Sequence, residues 1–202
     1  MAARPTGASS VFINAPFDTA YEPQFIAIVA ATIAIGRTPR CVLEVAERGT
    51  GRLRRLLQLI EACDVSLHDL SRVGVPARFN MPFELGLACA VANLRQRRPR
   101  HAFILLERRR YRLQITLSDL NGFDPYIHNG TVSGTIESVL DALRPRSNAP
   151  STQTVFRFYR TLAVVANQLT NNGKQTLFTR SRFLELVPVG IERATQAGLI
   201  NP

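Results

Sequence analysis

A regular alternation of short apolar runs and longer segments with helical periodicity constrains the fold of this chain more than any other feature. The apolar runs are "SVFINAPF" (10–17), "RCVLEVA" (40–46), "DVSLHDLS" (64–71) and "HAFILLE" (101–107). Helical patterns lie after them, over about 21–35, 49–63, 80–95 and 131–144 in turn. Strands that alternate with helices form right-handed crossover units, so the sequence predicts an open parallel sheet with helices on both faces.

We therefore expect an α/β fold of the flavodoxin-like, doubly wound type. The sheet domain is predicted to span residues 1–146, because the polar stretch "PRSNAPST" (145–152) has the composition of a linker. Residues 147–202 are predicted to form a helical C-terminal extension, with helices near 153–170 and 180–197. The extension is too short to build a large core alone, so we expect it to pack on the sheet domain or on another subunit.

Composition excludes several classes of protein. Hydrophobic residues make up 46% of the 202 residues, as in globular proteins and unlike disordered chains. The sequence has no apolar run of membrane-spanning length, and its first ten residues lack the layout of a secretory signal. The three cysteines, Cys41, Cys63 and Cys89, are odd in number and fit no metal motif. We expect a cytoplasmic protein with reduced cysteines, no metal site and no membrane partner.

The net charge of +10 comes almost entirely from arginine, since Lys174 is the only lysine. Two clusters, "RQRRPR" (95–100) and "ERRRYR" (107–112), stand at opposite ends of one predicted strand rather than along one stripe. The chain also lacks the basic and aromatic interleaving of RNA-recognition surfaces. We expect no nucleic-acid partner, although a binding module driven by these arginines is an alternative. A phosphorylated small molecule also fits a basic chain.

The topology predicts where a ligand should bind. In open α/β sheets, ligands lie beyond the carboxyl ends of the strands where the strand order reverses, here between the first and third strands. The predicted ligand-binding residues near this point are Asn14, Pro16, Phe17, Asp18, Tyr21, Ser71, Arg72, Arg78 and Asn80. Plain solvation is the alternative role for Arg72 and Arg78. Capping of the helix at 21–35 is the alternative for Asp18, and loop geometry is the alternative for Asn14. Further on, "SDLNGFDPYIHNG" (118–130) is predicted to form a lid or a short extra strand.

Glu84 is the main candidate for chemistry, because it stands near the start of an otherwise apolar helix. With Asn80 or Met81 as the cap, Glu84 would lie in the first turn, where free backbone N–H groups favour an ionised carboxylate. We expect it to face the same crevice as Asp18 and Asp69. An ordinary acidic residue of a helix start is the alternative.

His68 and Asp69 are consecutive in a strand, so their side chains must point to opposite faces of the sheet. Asp69, at the strand end, is the better candidate to face the crevice and bond ligand hydroxyls, and capping of the next loop is its alternative role. We expect His68 to be a hydrogen-bonded core residue.

The segments "VFINAPFDTAYEPQF", "PRCVLE", "LIEACDVSLHDLS" and "PARFNMPFELGLA" together resemble a bacterial group of small proteins related to nucleoside 2-deoxyribosyltransferases and TIR domains. The resemblance covers about residues 10–145. It is most specific in the blocks "FINAPFD", "HDLSR" and "NMPFELG". It implies a flavodoxin-like sheet and N-glycosidic chemistry, with Glu84 as the catalytic carboxylate. Asp69, a carboxylate of the pocket, is the second predicted catalytic residue.

This resemblance also implies that the loop after the first strand closes over a base or a ribose. The substrate would be NAD or a nucleoside or nucleotide, with no further cofactor, and the biological role would be that of an antiphage defence effector. The transferases usually carry an Asp-Gly-Thr-like run before the glutamate, where this chain has "ARFNMPF". Hydrolysis, deoxyribosyl transfer and a nucleotide sensor without turnover therefore all stay open. We also expect a homo-oligomer.

Overall fold

The computed structural model describes residues 9–45, 51–72, 79–94, 101–143 and 149–201. Within these ranges, the strands are β1 (Ser10–Asn14), β2 (Thr38–Cys41), β3 (Val65–Asp69), β4 (Ala102–Glu107) and β5 (Tyr126–Ile127). The α-helices are α1 (Glu22–Ala34), α2 (Arg52–Ala62), α3 (Asn80–Leu94), α4 (Arg112–Thr116), α5 (Val132–Leu143), α6 (Thr152–Leu169) and α7 (Arg180–Gln196).

The strands form one parallel sheet in the order β2-β1-β3-β4-β5. The predicted flavodoxin-like, doubly wound α/β fold is therefore confirmed. The strand order reverses between β1 and β3, which pair in register from Val11 with Val65 to Asn14 with His68. The carboxyl ends of these two strands are where this topology opens a crevice.

Each face of the sheet packs against its own set of helices. Val11, Ile13 and Leu67 face a core that includes the apolar sides of α1, α5, α6 and α7. Phe12, one residue out of step, faces α2 and α3 on the other side. The alternation follows from the two-residue period of a strand. α1 is buried along most of its length, and Gly36 ends it with a φ of +73°.

The C-terminal helices α6 and α7 pack on the sheet domain through α1. Val155, Leu162 and Phe183 are buried in the same hydrophobic cluster as the residues of α1. Gly190 of α7 permits the close approach, because a Cβ atom there would stand 2.8 Å from Ile33 Cδ1. The extension and the sheet domain thus share one core. This is the first of the two arrangements that we predicted, packing of the extension on the sheet domain.

Two local predictions need correction or refinement. The predicted strand over 40–46 is wrong after Cys41, where the chain turns into a short 3-10 helix at Val42–Glu44. The Glu44 carboxylate causes this turn, because it accepts the Cys41 N–H and pairs with the Arg40 guanidinium at 2.7 Å. The segment 118–130 contributes β5, in agreement with the short extra strand that we predicted.

Among the residues that the structure describes, no helix combines the length and hydropathy needed to cross a bilayer. All three cysteines are free thiols, with Cys41 and Cys63 buried and Cys89 partly buried. Within the same described part of the chain, no group of three or more His, Cys, Asp or Glu side chains could hold a metal ion.

Candidate functional site

Two cavities lined by described residues open at the carboxyl edge of the sheet, one on each side of the loop that follows β1. The first, of about 150 Å³, lies over the ends of β1 and β2 and includes Glu84 in its wall; we call it the Glu84 cavity. The second, of about 180 Å³, lies over the ends of β3, β4 and β5; we call it the arginine cavity. Among the described residues, Glu84 lines the first cavity and Asp18 lines the second, so these two cavities do not reproduce the single crevice that we predicted for Glu84, Asp18 and Asp69.

The Glu84 cavity has an apolar wall and a charged wall. Its lining is Pro16, Phe17, Val42, Leu43, Val45, Arg52, Asn80, Met81, Glu84 and Arg180. Phe17 is fixed by ring contacts with Phe25 of α1, at 5.7 Å between centroids, and with Phe178 before α7, at 5.3 Å. Arg180, the first residue of α7, donates from Nε to the Glu44 carbonyl oxygen at 3.3 Å. The C-terminal extension thus contributes directly to this cavity.

Glu84 is buried, with 5% of its surface exposed. Its Oε2 atom has no hydrogen-bond partner among the described residues. Burial raises the pKa of Glu84 to about 7, and the nearby Arg52 guanidinium opposes this shift. Burial therefore works against the ionised form that we expected for this carboxyl group.

The position of Glu84 in α3 explains this difference. α3 begins at Asn80 and Phe83 N–H already donates to the Phe79 carbonyl oxygen, so neither Asn80 nor Met81 is the cap. Glu84 is the fifth residue of the helix and lies beyond the first turn. The partial positive charge of a helix start fades within that turn, so desolvation decides the pKa of this carboxyl group.

Asn14 is oriented by a chain of buried hydrogen bonds. His101 Nδ1 donates to the Cys63 carbonyl oxygen, Ser66 donates to His101 Nε2, and His68 Nε2 donates to Ser66 Oγ. The free His68 Nδ1 then accepts from Asn14 Nδ2 at 2.9 Å. Burial, helped by His101, lowers the pKa of His68 to about 3, so this histidine is neutral. The prediction of a hydrogen-bonded core histidine is confirmed.

The Asn14 amide is thereby fixed beside α3. Its Nδ2 also donates to the Met81 carbonyl oxygen at 2.8 Å, which ties the end of β1 to the first turn of α3. The Asn14 Oδ1 atom is buried and makes no hydrogen bond to the described residues. Asn14 therefore positions the helix that carries Glu84, although it does not line either cavity.

Asp69 lies on the opposite face from His68, as the strand period predicts. Its carboxylate accepts from the Tyr21 hydroxyl and from Ser71 N–H at 2.8 Å, and its Oδ2 is 3.1 Å from His128 Nε2. Burial and the Asp69 charge raise the pKa of Tyr21 well above its ordinary value, so the phenol stays a donor. Asp69 thus orders the loop after β3, which agrees with the alternative capping role.

Ser71, His128 and Asp69 do not form a hydrolytic triad. His128 Nδ1 accepts from the Gly130 N–H at 3.0 Å, so the proton of the neutral ring is on Nε2. That same Nε2 is 2.8 Å from Ser71 Oγ and 3.1 Å from Asp69 Oδ2. A ring that already carries its proton on the nitrogen facing the hydroxyl cannot act as the base for it.

The predicted site residues divide between the two cavities. Pro16, Phe17, Asn80 and Glu84 line the Glu84 cavity. Asp18, Tyr21, Ser71 and Arg72 line the arginine cavity, where Arg72 Nε is 3.2 Å from Asp18 Oδ2. Asp69 is buried behind the arginine cavity and lines neither. Arg78 lies outside the described residues.

Sequence reasoning missed several residues that line these cavities. They are Arg52 and Arg180 of the Glu84 cavity, and Gln24, Arg108, Arg112 and His128 of the arginine cavity. Arg108, Arg112 and His128 follow β4 and β5, so the rule of strand carboxyl ends could have found them. Arg180 comes from the C-terminal extension, and no pattern in the sequence relates it to Glu84.

No protein-family profile, no curated protein and no solved structure matches this chain. The resemblance to the transferase and TIR group therefore stays a prediction from the quoted sequence blocks.

Proposed function

We propose that this protein binds NAD or a related nucleotide in the Glu84 cavity and cleaves its N-glycosidic bond. The observation that supports this proposal most directly is the buried, unpartnered Oε2 atom of Glu84 in the wall of a cavity. A buried carboxylate oxygen without a partner costs stability, and such costs concentrate at functional sites. A ligand at this place would supply the missing interaction.

The remaining walls suit the parts of a nucleotide. Phe17, Leu43 and Met81 offer apolar surface for a base. Arg52 and Arg180 bring two guanidinium groups to the same cavity, and guanidinium is a strong partner for phosphate oxygens. The cavity thus combines an apolar wall, cationic groups and one carboxyl group, as recognition and cleavage of a nucleotide require.

The chemistry assigned to Glu84 is nucleophilic attack on the anomeric carbon or electrostatic stabilisation of the oxocarbenium-like sugar. In the covalent route, a bond forms between the Glu84 carboxylate and the anomeric carbon while the C–N bond breaks and its electron pair leaves with the base. Attack by water then releases the sugar in hydrolysis, whereas attack by a second base gives transfer. Both routes need the ionised carboxylate, so turnover should rise as the pH increases through about 7.

The test is chromatographic analysis of NAD and a panel of nucleosides and nucleotides after incubation with the wild-type protein and the Glu84→Gln variant. We expect the wild type to release the free base. In the variant, the turnover rate should fall by a factor on the order of a thousand or more. Glu137→Gln, an exposed change in α5, is the matched control and should keep full activity. Equal product formation by the wild type and the Glu84→Gln variant would refute the role of Glu84.

The second candidate function is a nucleotide sensor without turnover, and the raised pKa of the buried Glu84, which favours the protonated form, supports it. A protonated carboxyl group donates a hydrogen bond to a ligand but does not attack it. This alternative predicts that nucleotides raise the melting temperature of the wild type without any product. The Glu84→Gln variant would then bind as well as the wild type, because the amide also donates.

A further inference from the structure

We propose that the arginine cavity is a separate binding site for a phosphorylated sugar. The inference rests on the geometry of this cavity and not on the function proposed for Glu84. The cavity shares no lining residue with the Glu84 cavity. Its lining is polar, and it includes the guanidinium groups of Arg72, Arg108 and Arg112 as well as the side-chain oxygens of Asp18 and Gln24.

Arg108 is the donor that is available for a phosphate. The neighbouring guanidinium groups are occupied, since Arg72 pairs with Asp18 and Arg112 pairs with Glu107. The Arg108 side chain makes no hydrogen bond or ion pair with any described residue, and it lies against the backbone of Gly130. The cavity therefore has one guanidinium group, on the exposed residue Arg108, that has no carboxylate partner in the described part of the protein.

Three acidic groups lie at or behind this cavity. Asp18 lines it and pairs with Arg72, and the other two, Glu107 and Asp69, do not cancel the charge of Arg108 either. The Glu107 carboxylate accepts the backbone N–H groups of Arg108 and Arg109 and pairs with Arg112. The Asp69 carboxylate is turned toward Tyr21, Ser71 and His128, with only 1% of the residue exposed. Both negative charges thus face inward and are compensated by the protein's own donors.

Two buried acceptors in the same cavity call for a ligand that also donates. Gln24 Oε1 has no hydrogen bond to the described residues, although Gln24 Nε2 donates to the Gly130 carbonyl oxygen at 2.8 Å. Asp18 Oδ2 has only the ion pair with Arg72 and no hydrogen bond of proper geometry in this part of the chain. Sugar hydroxyls would donate to these oxygens while a phosphate group accepts from Arg108. Inorganic phosphate would accept from Arg108 but would leave the acceptor oxygens of Gln24 and Asp18 without sugar hydroxyls as donors.

The experiment is isothermal titration calorimetry of the full chain with ribose 5-phosphate, ribose and inorganic phosphate. We expect ribose 5-phosphate to bind more tightly than either of the other two. Arg108→Gln should weaken its binding about tenfold, the loss of one charge-assisted hydrogen bond. Arg110→Gln removes the same charge from the same segment but does not line the cavity, and it should bind as the wild type does.

Two further variants separate the parts of the inference. Gln24→Leu should weaken the binding of ribose 5-phosphate while leaving that of inorganic phosphate unchanged, because only the sugar contacts Gln24. Arg180→Gln changes the Glu84 cavity and should leave ribose 5-phosphate binding unchanged.

Three results would overturn the proposal. They are an absence of binding up to about 10 mM ribose 5-phosphate, equal affinity in the wild type and Arg108→Gln, and a loss of binding in Arg180→Gln but not in Arg108→Gln. The last result would place the sugar phosphate in the Glu84 cavity, so the present inference would fail while the proposed function would survive. A failure of NAD cleavage, in contrast, would leave the arginine cavity unaffected.

Discussion

Glu84 has an environment that is unfavourable for folding. The side chain is 5% exposed, its Oε2 atom lacks a partner among the described residues, and its pKa is raised to about 7 by burial. Arg52 compensates only part of the desolvation cost. The folded state must therefore either hold a proton on this group or bear an uncompensated buried charge.

This conflict predicts how the Glu84→Gln substitution changes stability with pH. The unfolded chain releases the Glu84 proton near its ordinary pKa of 4.5, whereas the folded chain holds it up to about 7. Between these values the unfolded state loses its proton first, so ionisation favours unfolding, and the penalty is complete above about 7. A glutamine amide does not ionise and carries no such penalty. We expect the variant to gain on the order of 3 kcal/mol in free energy of unfolding at about pH 8 and little at about pH 4, as measured by urea denaturation.

The exposed Glu137→Gln change is the control for this measurement and should show no such pH dependence. A constant difference between Glu84→Gln and the wild type across this pH range would mean that the folded and unfolded pKa values of Glu84 are equal. The burial argument would then be wrong.

His68 provides a second test of a buried titratable group. Its pKa of about 3 and its bonds to Asn14 and Ser66 require a neutral ring with the proton on Nε2. We expect the His68 ring signals in a ¹H–¹⁵N NMR spectrum to show this tautomer and not to titrate between about pH 5 and 8. An apparent pKa near 6.5 would contradict the hydrogen-bond chain that orients Asn14.

At the scale of elements, the sequence patterns predicted most helices and strands to within a few residues. The errors arose where one side chain changed the backbone path. The Glu44 carboxylate accepts a hydrogen bond from the Cys41 N–H where β2 ends. A pattern of apolar residues contains no information about such a hydrogen bond, so it predicted that the strand would continue. α3 begins at Asn80, whereas we predicted Asn80 or Met81 as the cap before the helix. Because the helix begins earlier, Glu84 lies beyond its first turn.

Packing between α1, α6 and α7 predicts that the C-terminal extension unfolds together with the sheet domain. Leu162 is fully buried between these helices, so Leu162→Ala should cost about 2–5 kcal/mol through the cavity that it leaves. Val164→Ala, on the same helix but 58% exposed, is the control and should change stability by less than about 0.5 kcal/mol.

Chemical denaturation followed by circular dichroism and by amide exchange in α1 measures this coupling. Leu162→Ala should lower the midpoint of a single transition by both probes. Two separate transitions, with exchange in α1 unchanged, would indicate that residues 147–202 fold as an independent unit.

α7 also supplies a functional side chain, since its first residue Arg180 lines the Glu84 cavity. Under the proposed function, Arg180→Gln should raise the KM for NAD about tenfold and leave kcat nearly unchanged, as expected for a group that holds the substrate phosphates equally in the ground and transition states. Arg193→Gln, in the last turn of the same helix, is the control. Steady-state kinetics with an unchanged KM in Arg180→Gln would exclude the extension from substrate binding.

For the whole molecule, the alternation of strands and helices was enough to predict a parallel, doubly wound sheet and the edge at which polar residues gather. It was not enough to predict that the loop after β1 divides this edge. Phe17 turns toward Phe178 and the Glu84 cavity, while the next residue, Asp18, turns toward Arg72 and the arginine cavity. Such a division depends on contacts with residues distant in the sequence, which local patterns do not carry.

The net charge of +10 belongs to the molecule as a whole, and it leads to a prediction about nucleic acids. Several described arginines are already paired, among them Arg40 with Glu44, Arg72 with Asp18 and Arg112 with Glu107. We therefore expect only the sequence-independent attraction of a basic protein. In fluorescence anisotropy with double-stranded DNA, the dissociation constant should be larger than about 1 µM at physiological salt. It should rise steeply as salt is added.

The sequence of the DNA is the control in this measurement, because an attraction to phosphates alone is the same for unrelated duplexes. We expect duplexes of different sequence to bind with affinities that agree within about twofold. Tight binding that distinguishes one sequence from another and persists at high salt would contradict this expectation. It would mean that arginines of this chain recognise a nucleic-acid sequence, and a small phosphorylated ligand would then no longer be needed to explain the positive charge of the chain.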